Sequence, residues 1–534
     1  MARSQVKRGT ASLRSQSKSQ PKRATRVASA LMVGLRDGVK APVALRVGLL
    51  SSIVAVVASW GVGIMPAVQG SSFARAAFLV PLRVDSIGVI ACAVALVLGV
   101  VALFWSWLQL GRYSLGEGGV GLGRKALLLW GAPWLLGFPV LSQDVFSYAA
   151  QGRLLLIGKD PYHDWVSQMP GWFAQGADGL WAQSTSPYGP LFILASAGVY
   201  AISGGLPETN ILLFKLLAIG GVWLCAITLP RLARKLGRDP GWAVWITLTN
   251  PLFVLSMIAS AHNDGVMVGL LLAACLMALR RKVVVAALLV GAAIAVKPIV
   301  ILALPALGLL AAGRGASWGR RFSRWAIIGA VVGGMLTLLG AVSGLWFGWI
   351  AAMADQGGAA FPFAPFGLLG LGIGTLVGAV LGSAAGAAVQ GAIYALGKLI
   401  AVASAFYLAL RKPNVNPVWQ AGVVLLLAVV LNPVIQPWYL FWFLPLLAAS
   451  SRLYGFWERL IIILSIAVAL WCLVDQLSIP AWVAPAPLKW SCVGIGVLAS
   501  VALLVLPRST RGAFELGKAS SWFSAQDRSV VAPR

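Results

Sequence analysis

Long apolar runs alternate along this chain with short polar stretches that hold most of its charge. An α-helix needs about 20 apolar residues to cross a bilayer core. The runs at 43–68, 86–110, 126–141 and 211–230 each predict one crossing. Further runs lie at 242–260, 266–279, 325–353, 367–410, 460–474 and 490–506, and the Gly-rich stretch between 110 and 126 reads as a basic cytoplasmic linker. The runs are unbroken and do not alternate apolar with polar residues, which excludes the strands of a transmembrane barrel. Two segments depart from the rhythm. The run 191–203 is short, and a full crossing there would put the basic stretch 231–239 on the wrong side, so it predicts a re-entrant or half-length helix. Residues 283–312 are interrupted by Lys297-Pro298 and by Pro305. They predict two short helices with Lys297 near the outer turn. The fold class that follows is all-α, a polytopic integral membrane protein with about 13 transmembrane helices (roughly 11 to 15) and a helical outer loop.

Composition agrees. Hydrophobic residues make up 59% of the 534 and charged residues 11%, with a mean hydropathy of +0.86. So little polar surface excludes a soluble globule. The net charge of +27 raises nucleic acid as a partner, but the cations are placed otherwise. Eleven Lys and Arg fall in the first 46 residues against one acid, Asp37, and most others sit in short loops. This is the positive-inside pattern of a multi-pass plasma-membrane protein with both termini cytoplasmic. Residues 1–42 read as a basic, largely disordered tail drawn to anionic headgroups, and 508–534 as a second cytoplasmic tail. The first apolar run begins too far into the chain for a cleavable signal peptide. Cys92, Cys225, Cys275, Cys472 and Cys492 all lie in apolar segments without a CxxC pair, so they read as buried helix residues.

The acids are scarce and unevenly placed. Four of the 15, Asp144, Asp160, Asp164 and Asp178, fall within 142–190, and Glu208 follows. The third run delivers this loop to the side opposite the basic clusters. A helix over 144–156 sets Asp144, Tyr148 and Gln151 on one face, with Arg153 on a neighbouring face and Lys159 just past the end. Gly158 ends that helix and Asp160-Pro161 opens a turn. Asp144 suits a helix N-terminus as a capping group, but an ionisable residue in a polar cluster at the membrane edge is also a functional candidate. The turn carries His163 between Asp160 and Asp164, in a spacing that matches no strong metal-ligand pattern. Trp165, Trp172 and Trp181 read as interfacial aromatics or as platforms for sugar faces. Further on, 261–265 gathers His262, Asn263 and Asp264 at an outer helix end, more polar groups than a cap needs. Lys297 is an ammonium in apolar sequence and requires an anionic partner, either Asp264, Asp144 or a substrate phosphate. Residues 432–439 add Gln436, Trp438 and Tyr439. Such a set suits a reaction in which a lipid-borne phosphate leaves and a hydroxyl attacks. Cations stabilise the charge on the leaving phosphate, and a carboxylate takes the hydroxyl proton.

On the motifs SQDVFSYAAQGRLLLIGKDPY (142–162), SPYGPL (186–191), NPLF with AHNDG (250–265), AVKP (295–298) and NPVIQPWY (432–439), the chain resembles the polytopic GT-C glycosyltransferases. Among them it is most similar to the actinobacterial polyprenol-phosphomannose-dependent α-1,6-mannosyltransferases of lipomannan and lipoarabinomannan synthesis. The likeness covers roughly 45–505 of the sequence. It implies a GT-C transmembrane domain at 43–507 with 142–190 as the catalytic outer loop. The implied reaction is inverting transfer of mannose from polyprenyl-phosphate-mannose to a mannosylated lipid acceptor on the outer face, forming an α-1,6-linked mannan backbone.

The resemblance gives Asp144 the role of general base and makes Lys297, Arg153 and Lys159 candidates for the donor phosphate. Tyr148, Gln151, Asp160, Tyr162, His163, Tyr188, His262, Asn263, Asp264, Gln436 and Trp438 become candidate substrate contacts. No cofactor is expected, and a divalent metal is left open although no ligand set is identified. The implied partners are the lipid-linked sugar donor, a glycolipid acceptor such as mannosylated phosphatidylinositol, and membrane lipids, with no nucleic acid. Some family members carry adjacent acids in this loop, whereas Asp144 follows Gln143. A second acid would come from Asp160, Asp164 or Asp264. The alternative reading is a lipid-linked sugar flippase or other polytopic transporter, which would place its ionisable groups near the bilayer midplane.

Overall fold

The computed structural model describes residues 39–505 apart from 66, 67, 69, 356–363, 452 and 454. The expectations for the basic N-terminal tail and the polar C-terminal tail fall almost wholly outside this range. Helices account for 78% of the structure, and no strand occurs among the described residues. Among the described residues, seven helices are long and apolar enough to cross a membrane: Ala41–Val62, Ser86–Gly111, Pro207–Lys235, Trp318–Ser343, Ser383–Arg411, Phe456–Asp475 and Pro485–Val505. A bent pair, Pro240–Thr247 with Pro251–Ala259, makes an eighth if it is one span, and seven shorter apolar helices of 10–17 residues accompany them. The protein is thus an all-α polytopic membrane protein. Several helices open on proline at the first position, among them Pro190, Pro207, Pro240, Pro365 and Pro417. Proline suits that position because its missing N–H has no intrahelical partner to lose.

Two elements differ from the sequence expectation. A helix spans Gly116–Gly131, so most of the Gly-rich stretch read as a linker is helical. Its small residues let it lie against Pro240–Thr247; a Cβ on Gly123 would meet Val244 Cγ1 at 2.6 Å. Packing here overrides glycine's poor helix propensity. The run 242–260 is also not one straight span, since its two halves bend by 61°. Pro251 cannot continue the helix, and Asn250 caps the second half by accepting from the Leu252 N–H while its amide donates to Ser465 Oγ at 2.8 Å. The first half is anchored by Trp107 and Trp245, each donating to the other's carbonyl at 2.8 Å.

The broken span positions the centre of the molecule. After a π-helical turn at Leu255–Ala259, Ala261 adopts φ +57°, a left-handed conformation that costs a non-glycine residue about 1–3 kcal/mol. The chain then reverses and delivers His262, Asn263 and Asp264 to the start of helix Asp264–Leu279. That helix packs between Pro207–Lys235 and Val283–Val296. At the end of Val283–Val296, Lys297 is extended at φ −143° and ψ 106°, as the following Pro298 favours. Two short elements, Pro298–Ala303 and Leu304–Ala312, complete the interrupted segment.

Candidate active site

Helix Asp144–Leu156 has the bounds its sequence suggests. Gly158 ends it at φ +79°, a conformation glycine adopts without steric cost. Asp144 is not the capping residue. Ser142 Oγ accepts from the Asp144 N–H at 3.0 Å, which leaves the carboxylate free to face the bundle. Asp144 Oδ2 lies 3.5 Å from His262 Nδ1 and accepts from the Tyr188 hydroxyl at 3.5 Å. Tyr148 Oη is 3.2 Å from the same His262 nitrogen, and Tyr148 and Tyr188 meet edge to face at 5.1 Å. Gln151 accepts from Ser186 Oγ at 2.8 Å, while Tyr162 donates to the Tyr188 carbonyl at 2.9 Å. Tyr188 is placed by its neighbour Gly189, whose N–H donates to the Val296 carbonyl at 3.1 Å. A Cβ on Gly189 would run into the Ala295 carbonyl. The loop therefore docks directly on the helix end that carries Lys297.

Lys297 has an anionic partner. Its ammonium donates to Asp264 Oδ1 at 2.7 Å, with the lysine side chain 8% exposed and the aspartate fully buried. Three rings surround the ammonium, with centroids at 5.7 Å (Tyr188), 5.4 Å (Tyr439) and 5.0 Å (Trp442). Trp442 Nε1 also donates to Asp264 Oδ1. His262 stacks on Trp438 at 3.7 Å. The polar triplet 262–264 is thus buried at the start of helix Asp264–Leu279, and Asn263 makes no side-chain cap. His262 Nε2, both amide atoms of Asn263, Asp264 Oδ2 and Trp438 Nε1 have no hydrogen-bond partner among the described residues. Buried polar groups are normally satisfied, so five such atoms in one place mark it as unusual.

Asp144 keeps 15% of its side chain exposed and opens onto a cavity of about 200 Å³. Gln436 and Trp438 line this cavity too, as do Asp178, one of the four acids of the loop, and three residues the sequence did not single out: Trp471, Asp475 and Gln476. Burial pushes the Asp144 carboxyl up to about 6, against the pull of the Lys297 charge and with a further push from Asp264. Burial and the nearby carboxylates hold the Tyr188 hydroxyl protonated well above its usual range. It therefore keeps the proton that it donates to Asp144.

Arg153 and Lys159 lie apart from this cluster. Nine residues beyond Asp144, at about 100° per residue, Arg153 is turned to the opposite helix face. There it donates to the Pro170 carbonyl and to Gln175 Oε1, both at 3.2 Å. Lys159 pairs with Asp164 at 3.0 Å and donates to Gln168 Oε1 at 2.9 Å. Asp160 accepts from His163 at 2.7 Å, with His163 71% exposed. These four side chains shape the turn. No group of three or more His, Cys, Asp or Glu side chains placed to hold a metal occurs among the described residues.

This geometry coincides with recognisable sequence. Residues 45–313 match the family model for the alpha-(1->6)-mannopyranosyltransferase N-terminal domain, and 367–505 match that for the MptB C-terminal domain. A probable alpha-(1->6)-mannopyranosyltransferase of Mycolicibacterium smegmatis is 30% identical over 442 residues, covering 76% of this chain and 78% of that one. The chain belongs to the alpha-(1->6)-mannopyranosyltransferase family. An alpha-(1->6)-mannopyranosyltransferase of Mycobacterium tuberculosis is 29% identical over 465 residues, with the same shares of the two chains. Alpha-(1->6)-mannopyranosyltransferase B of Corynebacterium glutamicum is 26% identical over 402 residues, covering 67% of this chain and 63% of that one. No solved structure matches. Every residue of the Asp144 and Lys297 clusters falls inside the two matched regions of this mannosyltransferase family.

Proposed function

We propose that the protein transfers mannose from polyprenyl-phosphate-mannose to a mannosylated lipid acceptor, with inversion, at the outer face of the plasma membrane. The product is the α-1,6-linked mannan backbone of lipomannan or lipoarabinomannan. Asp144 is the general base. The acceptor's 6-hydroxyl oxygen forms a bond to C1 of the donor mannose while the bond from C1 to the phosphate oxygen breaks. The hydroxyl proton passes to Asp144, and the electron pair leaves with polyprenyl phosphate. The observation that carries this reading is the position of Asp144. It is a carboxylate raised by burial, set between an open cavity on one side and His262 and Tyr188 on the other.

The second part of the proposal concerns charge. The Lys297 ammonium lies 5.7 Å from the ring centroid of Tyr188, which touches Asp144. Polyprenyl phosphate gains negative charge as it leaves, and a preorganised ammonium stabilises that charge most where water is excluded. Tyr148, Tyr188, His262 and Asn263 supply polar atoms around the reacting sugar. Arg153 and Lys159 stand outside this set and maintain the loop. Donor binding by the purified protein, followed by single-turnover transfer of labelled mannose, tests the reading. Mannose should move to a short α-1,6-mannoside only when polyprenyl-phosphate-mannose is the donor. Transfer from a nucleotide sugar instead would overturn the choice of donor.

A further inference from the structure

The cavity beside Asp144 differs in chemistry from the Lys297 side of the site. Its wall carries three carboxylates, Asp144, Asp178 and Asp475, and no Lys or Arg. The amide of Gln436 and the rings of Trp181 and Trp471 are also part of it. Asp178 is held in place by the Leu180 N–H, which donates to its Oδ1 at 2.9 Å. Asp475 accepts from Gln476 Nε2 at 2.9 Å. Burial and the Asp475 charge push Asp178 above the usual carboxylate range, and the Asp178 charge in turn contributes to the rise at Asp144. Asp178 therefore links the other two acids across the cavity. Trp438 also lines it, is 4% exposed, and has an indole N–H with no partner among the described residues.

A wall of this kind repels a phosphate. It suits a neutral polyol, because carboxylates accept hydrogen bonds from hydroxyls and indole rings pack against the C–H face of a pyranose. At about 200 Å³ the space exceeds the ~150 Å³ of a cavity that accommodates a six-membered benzene ring.

We propose that this cavity is the acceptor subsite: it takes the terminal mannose of the acceptor, with Asp178 and Asp475 receiving its hydroxyls and the 6-hydroxyl directed to Asp144. This rests on the mannosyl-transfer reading above. The phosphate-bearing donor then approaches from the Lys297 side, so the two substrates are sorted by charge.

The test uses the purified full-length protein with polyprenyl-phosphate-mannose as donor and a synthetic α-1,6-dimannoside as acceptor. Asp475→Asn and Asp178→Asn should each raise KM for the dimannoside about tenfold, the scale of one hydrogen bond to a charged group. KM for the donor should stay the same. Trp471→Ala should act in the same direction. A rise in donor KM with acceptor KM unchanged, or no change in either, overturns the assignment. If Asp475→Asn does not fold, Asp178→Asn, on a loop, carries the test. A second readout separates the two proposals. Saturation-transfer NMR should detect the dimannoside on the wild type without donor and lose it in Asp475→Asn. A wild type that binds the dimannoside through Asp475 but transfers no mannose would refute the reaction and keep the subsite. A wild type that transfers mannose with the dimannoside signal intact in both Asn variants would refute the subsite and keep the reaction.

Discussion

Replacing Lys297 with Met separates what the lysine does for the fold from what it does for chemistry. Met preserves the aliphatic stem and removes the charge. Asp264 is then a fully buried carboxylate that keeps one donor, Trp442 Nε1, on Oδ1 and none on Oδ2. His262 Nδ1 lies 3.9 Å from that second oxygen, too far to take the place of the ammonium. Removing one partner of a buried pair costs about 3–5 kcal/mol. The three ring contacts add about 0.5–2 kcal/mol each at most and overlap with the ion pair, so they are not summed. Asp264→Asn in the same chain removes the stranded charge and should recover most of the loss, because a neutral amide oxygen still accepts from Trp442. The assay is chemical unfolding of the two single variants and the double variant in detergent, read as a double-mutant cycle. A coupling of about 3 kcal/mol is expected. A Lys297→Met variant as stable as wild type, or a coupling below about 0.5 kcal/mol, would refute the reading of Lys297 and Asp264 as a stabilising buried ion pair. Transfer activity should remain lost in the double variant although the fold has recovered. Recovery of transfer along with stability would make Lys297 a structural residue only.

Two further outcomes follow from the geometry. Asp144, raised to about 6 from an ordinary value near 3.8, works as a base only when ionised, so kcat/KM should fall as pH drops through about 6 and reach its plateau above it. A profile flat down to pH 5 would assign the base elsewhere. Gly189→Ala drives a methyl into the Ala295 carbonyl, so it should destabilise by about 1–3 kcal/mol and depress transfer. Gly198→Ala, in open space on helix Pro190–Ser203, should be neutral or stabilise by up to about 1 kcal/mol. Equal melting temperatures for these two variants would contradict the described loop docking.

The local parts of this site were legible in the sequence. Apolar run length and basic loops identify an all-α membrane protein, and Gly158 with the 3.6-residue period gives the bounds of helix Asp144–Leu156. The burial cost of an unpaired ammonium names Asp264 among the partners of Lys297. Long-range convergence was not legible. Asp475 ends a helix more than 300 residues after Asp144, and an acid at a helix end does not reveal which cavity it faces. Tyr439 was among the polar candidates of 432–439, but Trp442, which stacks on it, sits in an aromatic run that reads as ordinary core. Pro251 is the sequence signal for the bend at Asn250-Pro251, but the apolar stretches on either side of it read as one run. Arg153 shows the opposite failure. It is close to Asp144 in sequence, yet helical rotation carries it away from the site.

The central claim is that Asp144 takes the proton from the acceptor. The most direct measurement is single-turnover transfer by Asp144→Asn, using labelled polyprenyl-phosphate-mannose and an α-1,6-mannoside, with linkage and anomeric analysis of the product. The wild type should form an α-1,6 bond with inversion. Asp144→Asn should bind donor as before and transfer about 10²–10⁴-fold more slowly. Near-normal transfer by Asp144→Asn would contradict the account.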